Sequence, residues 1–127
     1  MAADAIKTGI RNETTADVTT DMVPRHLQGT TAQVLGTPTM IGLMEGTCHR
    51  SIADLLAENQ RSVGYEVHVR HLAPAPVGST VRITSELVEV EGNKLAFHVE
   101  VYEGDRKIGE GTIRRAVIEH RGFGQKA

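Results

Sequence analysis

Residues 37 to 58 and residues 62 to 120 follow different periods, and that change of period constrains the fold more than any other feature. In the first stretch apolar side chains recur at helical spacing. Taking Ile41 as origin and about 100° per residue, Met44, Cys48, Ile52, Leu55 and Leu56 fall within about 60° of it. Thr37 stands as the N-cap and Pro38 at the first helical position, where a missing N–H is tolerated. The helix is expected to reach about Glu58, roughly 20 residues and ~30 Å. The second stretch alternates instead: the runs 62–72, 79–91, 94–103 and 107–120 are rich in β-branched residues and read as half-buried strands. Gly92-Asn93 forms a two-residue hairpin loop, Gly104-Asp105-Arg106 a slightly longer one, and "APAPVG" at 73–78 separates the first strand from the rest. Ahead of the helix, residues 8–23 suit a first strand and 24–36 a loop. The expectation is an α+β fold, one curved and mostly antiparallel sheet wrapped around one long central helix.

The 127 residues fit one domain, 1–127. Only 3% of them are aromatic and none is Trp, so the core rests on Val, Ile, Leu and Met. So modest a core favours a homodimer that shares apolar surface. With a net charge of -2 and few aromatics among the basic residues, the chain offers neither a phosphate-tracking groove nor a stacking platform, which argues against nucleic acid. Cys48 stands alone, which fits a reducing compartment. The first residues lack the apolar core of a signal peptide, and no run approaches the roughly 18 apolar residues of a membrane span. The expected location is the cytoplasm, with no membrane partner.

Glu45 interrupts the apolar arc of the helix, at about 40° from Ile41. A carboxylate taken out of water without a partner is heavily penalised, so it is either protonated or met by a donor. Two roles stay open: a structural ion pair with Arg70 or Arg115, or a part in chemistry. His49, one turn further on, shares its flank, but a Glu and a His without a third ligand do not make a metal site. Gly42 and Gly46 each weaken a helix by roughly 1 kcal/mol relative to Ala, which makes sense where another backbone or a ligand passes close by.

Of the six histidines, His26, His98 and His120 read as solvated. His68 lies within the strand "YEVHVRHLAP", and His71 falls where that strand enters a Pro-containing bend, a usual border of a cleft. A carboxylate that orients an imidazole makes a general base, which couples Glu45 to His71. Thr37 is either a simple cap or, beside the free N–H groups of a helix N-terminus, part of an oxyanion site. Eight residues of straight helix hold Thr37 and Glu45 about 12 Å apart. Both can serve one reaction only if the helix starts later or a two-fold interface completes the site.

The segments "TPTMIGLMEGTCH", "SVGYEVHVRHLAPAPVGSTV" and "GEGTIRRAVI" resemble, in order and spacing, the fluoroacetyl-CoA thioesterase-like group of hotdog-fold acyl-CoA thioesterases. The resemblance implies a hotdog fold, a homodimer and thioester hydrolysis. It implies catalytic roles for Thr37, Glu45 and His71, with Gly64 lining the acyl site and Arg115 near the pocket. Coenzyme A enters as part of the acyl-CoA substrate, without a separate cofactor or metal. Members that act on the fluorinated thioester are expected to carry aromatic residues before the Thr, and here that loop, "HLQGTTAQVLG", has neither Phe nor Tyr. Two rivals remain. A hotdog enoyl-CoA hydratase would pair Glu66 with His71, but their odd spacing puts them on opposite faces of a strand. A non-catalytic acyl-CoA binder or sensor would keep the pocket without turnover.

Overall fold

A computed structural model describes residues 5–120. Five strands, β1 (Arg11–Asp17), β2 (Gln60–His71), β3 (Thr80–Glu91), β4 (Lys94–Glu103) and β5 (Arg106–Glu119), form one sheet in the order β1-β3-β4-β5-β2. Every neighbouring pair is antiparallel. The helix α1 (Thr37–Ile52) lies across the sheet, mainly over β3 and β1.

Alternation in β3 and β4 explains the packing. Val81, Ile83 and Leu87 of β3 and Phe97, Val99 and Val101 of β4 are fully buried, and they meet Met40, Met44, Cys48 and Ile52 from the apolar face of α1. Burying side chains of this size contributes roughly 1.5–3 kcal/mol each. The turns fall where the sequence puts them: Gly92 (φ 62°) lets β3 reverse into β4, and Gly104 (φ 57°) does the same between β4 and β5.

Three expectations need correction. The helix stops at Ile52, sixteen residues long, because Ala53–Leu55 tightens into a 3-10 turn and swings the chain back towards β2. The first strand covers only Arg11–Asp17, and residues 20–22 and 25–27 form short 3-10 turns rather than plain strand and loop. Thr37 is not the N-cap. Gly36 takes that place, with no side-chain cap, and Thr37 is already helical.

β2 is an edge strand, thinly covered by α1. Val63, Tyr65 and Val67 are 40%, 48% and 42% exposed along it, so the edge carries apolar surface as well as unpaired main-chain groups. A bulge between Gly64 and Glu66 interrupts its register with β5.

Candidate active site

Two clusters of polar side chains lie on the helix-facing side of β2, one at each end. Their placement starts with main-chain pairing. The chain leading into α1 is stitched to the segment after β2: Leu35 N–H donates to Ala75 O (2.8 Å) and Val77 N–H to Gln33 O (3.0 Å). This brings the first turn of the helix against the last residue of β2, and Thr37 Oγ1 comes to 2.8 Å from Nδ1 of His71. The imidazole's other nitrogen, Nε2, is buried and without a partner. Burial also lowers the His71 pKa from its ordinary 6.5, partly offset by the nearby Ala73 backbone carbonyl, which favours the protonated ring. The ring is therefore neutral near pH 7 and able to accept a proton. Beside the pair runs a groove of about 360 Å³, walled by Leu27, Val34, Leu72 and Ala73.

The second cluster surrounds Glu45. Arg115, only 6% exposed, reaches from β5 to put Nη1 at 3.2 Å from Glu45 Oε2. Its Nε donates to Ser62 Oγ (2.7 Å) and its Nη2 to Ser62 O (2.9 Å). Of the two arginines weighed for Glu45, Arg115 is the one that answers it. Each of the three guanidinium nitrogens of Arg115 thus has a partner inside the chain. Gly64 makes room for the carboxylate: a Cβ there would stand 3.0 and 3.1 Å from the two Glu45 oxygens. Neighbours feel this charge pair. Burial pushes the Cys48 thiol up to about 12, Arg115 pulling it down and Glu45 up. His49 is lowered by burial, by Arg115 and by Arg50, and its Nδ1 is buried without a partner. No third metal-binding side chain joins Glu45 and His49 among the described residues.

Sequence reasoning thus named five residues that fall into two groups, Thr37 with His71 and Glu45 with Gly64 and Arg115. The coupling of Glu45 to His71 expected from the sequence does not form within one chain, where Glu45 bonds to Arg115 and His71 to Thr37. Sequence reasoning also missed Ser62, the anchor of Arg115, whose only signal is a serine at an inward position of β2. The hydratase pair fails as expected: Glu66 faces the other side of the strand, with Oε2 3.2 Å from Arg114 Nε.

An antiparallel sheet wrapped around one long helix, with a Thr–His pair at the helix start and, at its middle, a carboxylate one-third exposed and paired with a buried arginine, defines a hotdog-fold thioesterase. The chain belongs to the fluoroacetyl-CoA-specific thioesterase family, whose model matches residues 18–121. It is 42% identical over 94 residues to the fluoroacetyl-CoA thioesterase of Streptantibioticus cattleyicolor, covering 74% of this chain and 68% of that one. A 32% identity over 71 residues links it to an L-carnitine dehydrogenase/betainyl-CoA thioesterase of Ruegeria pomeroyi, over 54% of this chain but 15% of that protein. Among solved structures, a mutant fluoroacetyl-CoA-specific thioesterase in complex with fluoroacetate and CoA superimposes with a TM-score of 0.84 at 36% identity, covering 92% of this chain and 98% of that one. A hot-dog-like protein from Thermanaerovibrio acidaminovorans shares the fold, with a TM-score of 0.85 at 21% identity over 94% and 89% of the two chains.

Proposed function

We propose that this chain hydrolyses a small acyl-CoA thioester to the free acid and CoA, at a site completed between two copies in a homodimer. The observation that carries the reading is the Thr37–His71 hydrogen bond together with the buried, unpartnered Nε2 on the far side of that ring. Nδ1 faces a hydroxyl; Nε2 lacks the acceptor that would orient the imidazole. Glu45 is an acceptor of the right kind, and from α1 it lies against Gly64, which shares the open strand β2 with His71. Two copies of β2 paired antiparallel about a two-fold axis near Val67 and His68 bring Gly64 of one beside His71 of the other. That pairing also covers the exposed apolar side chains of the edge, and it delivers Glu45 of the second copy to the waiting nitrogen.

In the completed site His71 Nδ1 accepts the proton of the attacking oxygen, from Thr37 or from a water held against it. Glu45 of the second copy stabilises the imidazolium that results. Charge on the thioester oxygen is met by the Thr37 hydroxyl or amide N–H at the helix N-terminus and by the Gly64 backbone, donors whose loss typically costs about 100- to 1000-fold in rate. The C–S bond then breaks, and the thiolate leaves with the proton that His71 holds. Attack by water gives the free acid at once, whereas attack by Thr37 leaves an acyl-Thr37 ester that a water deprotonated by His71 then hydrolyses, the proton returning to Thr37. Arg115 keeps Glu45 in place. Coenzyme A takes part only as half of the substrate, and this chemistry calls for no other cofactor and no metal.

We read the whole chain, 1–127, as one such domain working in the cytoplasm. Its lone, buried Cys48 supports a reducing setting, and among the described residues no helix is long and apolar enough to cross a membrane. The fluoroacetyl preference of its relative is not carried over, because residues 26–36 hold no Phe or Tyr. The test is release of free thiol from a panel of short, branched and aryl acyl-CoAs, with Glu45→Gln and His71→Ala alongside. Release that both substitutions abolish supports the reading; release that both leave intact defeats the residue assignment. Binding without release turns the chain into an acyl-CoA sensor.

A further inference from the structure

We propose that the groove beside Thr37 and His71 holds the acyl chain of the substrate, and that this chain is an uncharged aliphatic group of more than two carbons. The inference rests on the thioesterase reading above and adds the substrate class. Thr37 and His71 themselves form one end of the groove, so an acyl group whose carbonyl carbon meets that pair can extend along it. At about 360 Å³ the groove offers room for roughly ten solvent-sized units of about 30 Å³ each, far more than a two-carbon unit fills.

The walls decide what occupies that room. Beyond the reacting pair the side chains are Leu27, Val34 and Leu72 with Pro24, Ala73 and Pro74, and none carries a charge or a hydroxyl. Five of the lining main-chain amides are already spent. The amides of Leu27, Leu35 and Gly36 donate to Pro24, Ala75 and Met22, and those of Leu72 and Ala73 both donate to Ile108 O. Pro24 and Pro74 have no N–H, and the Pro74 carbonyl already accepts from Arg106 (2.7 Å). The pantetheine arm of CoA carries two amides that need partners, and this surface, with no polar side chain beyond the reacting pair, offers them few. Hydrocarbon needs none. A cationic acyl group, or one bearing hydroxyls, would lose its hydration against these walls without compensation.

The deciding experiment compares kcat/KM for acetyl-, butanoyl-, hexanoyl-, fluoroacetyl- and betainyl-CoA. Each fully buried methylene is worth about fourfold, so butanoyl-CoA is expected to exceed acetyl-CoA by roughly tenfold, with the fluorinated and cationic thioesters below butanoyl-CoA. Leu72→Trp and Leu27→Trp should fill the groove and collapse the butanoyl-to-acetyl ratio. Leu72 is 42% exposed, so its replacement leaves the fold intact. A ratio near one in the parent enzyme, a preference for the charged or fluorinated thioester, or a ratio that both Trp variants leave unchanged would overturn the inference while leaving the thioesterase reading standing. Release of thiol from none of the five would remove both.

Discussion

Thr37 Oγ1 lies 2.8 Å from His71 Nδ1, although 34 residues separate the two in the chain. The bond spans the start of the helix and the end of a strand, and it takes the hydroxyl from its usual role of capping. If the two side chains work as one unit, removing either should do most of the damage. Thr37→Ala and His71→Ala are each expected to lower kcat/KM by at least about 100-fold, and the double variant to fall little further. Steady-state thiol release on the three proteins checks it; independent, multiplying losses would contradict the unit.

A site that draws Glu45 from the second copy has a clear signature in mixed dimers. Thr37→Ala and Glu45→Gln homodimers are both expected to be nearly inactive. Unfolded together and refolded, they should recover about a quarter of parental activity, since half the dimers are hybrid and each hybrid has one intact site. A mixture as inactive as its components would place all the machinery within one chain.

The pH dependence carries a sign. Burial alone lowers His71 from 6.5, whereas a carboxylate brought to Nε2 raises it. Activity needs the neutral ring, so the acid limb of kcat/KM marks that pKa. In Glu45→Gln the raising influence is gone and burial remains. The limb should therefore move to lower pH in the residual activity of that variant, and a limb that stays put would separate Glu45 from His71.

Gly64 is a position where size alone should matter. A methyl group there would press within 3.0 Å of Glu45 Oε1 and 3.3 Å of Arg115 Nη1. The carboxylate must give by a few tenths of an ångström, and since a displacement on the order of 1 Å can cost about 100-fold in rate, a shift of this size costs roughly severalfold. Gly64→Ala is expected to lose activity on that scale while thermal unfolding changes little. Full activity would show that Glu45 has slack.

Much of this molecule was legible from its sequence, for physical reasons that differ between elements. β3, β4 and β5 announced themselves because each keeps one face in the core, and Gly92 and Gly104 sit where φ turns positive. The end of the helix was hidden, since "SIADLLAENQ" contains no Gly or Pro to stop it; the chain turns after Ile52 because it must come back to pair β2 with β5. Thr37 was misread for a related reason. Local rules see a Thr before a Pro and assign a cap, but a partner 34 residues away outcompetes the local bond. Glu45 stood out as a charge on an apolar arc, yet choosing between Arg70 and Arg115 required the register of β2 against β5. Neither the strand order nor the separation of the two clusters leaves a trace in periodicity.

The unusual entry into α1 has a practical corollary for anyone seeking a hardier variant. Installing a capping side chain at a bare helix start commonly adds about 1 kcal/mol. At Gly36 that remedy is closed: any Cβ would stand 3.1 Å from the Met22 carbonyl oxygen and 3.2 Å from the Pro24 ring. Thermal tolerance must be sought elsewhere in this chain, because the corner that lacks a cap is also the one that sets the threonine on its histidine.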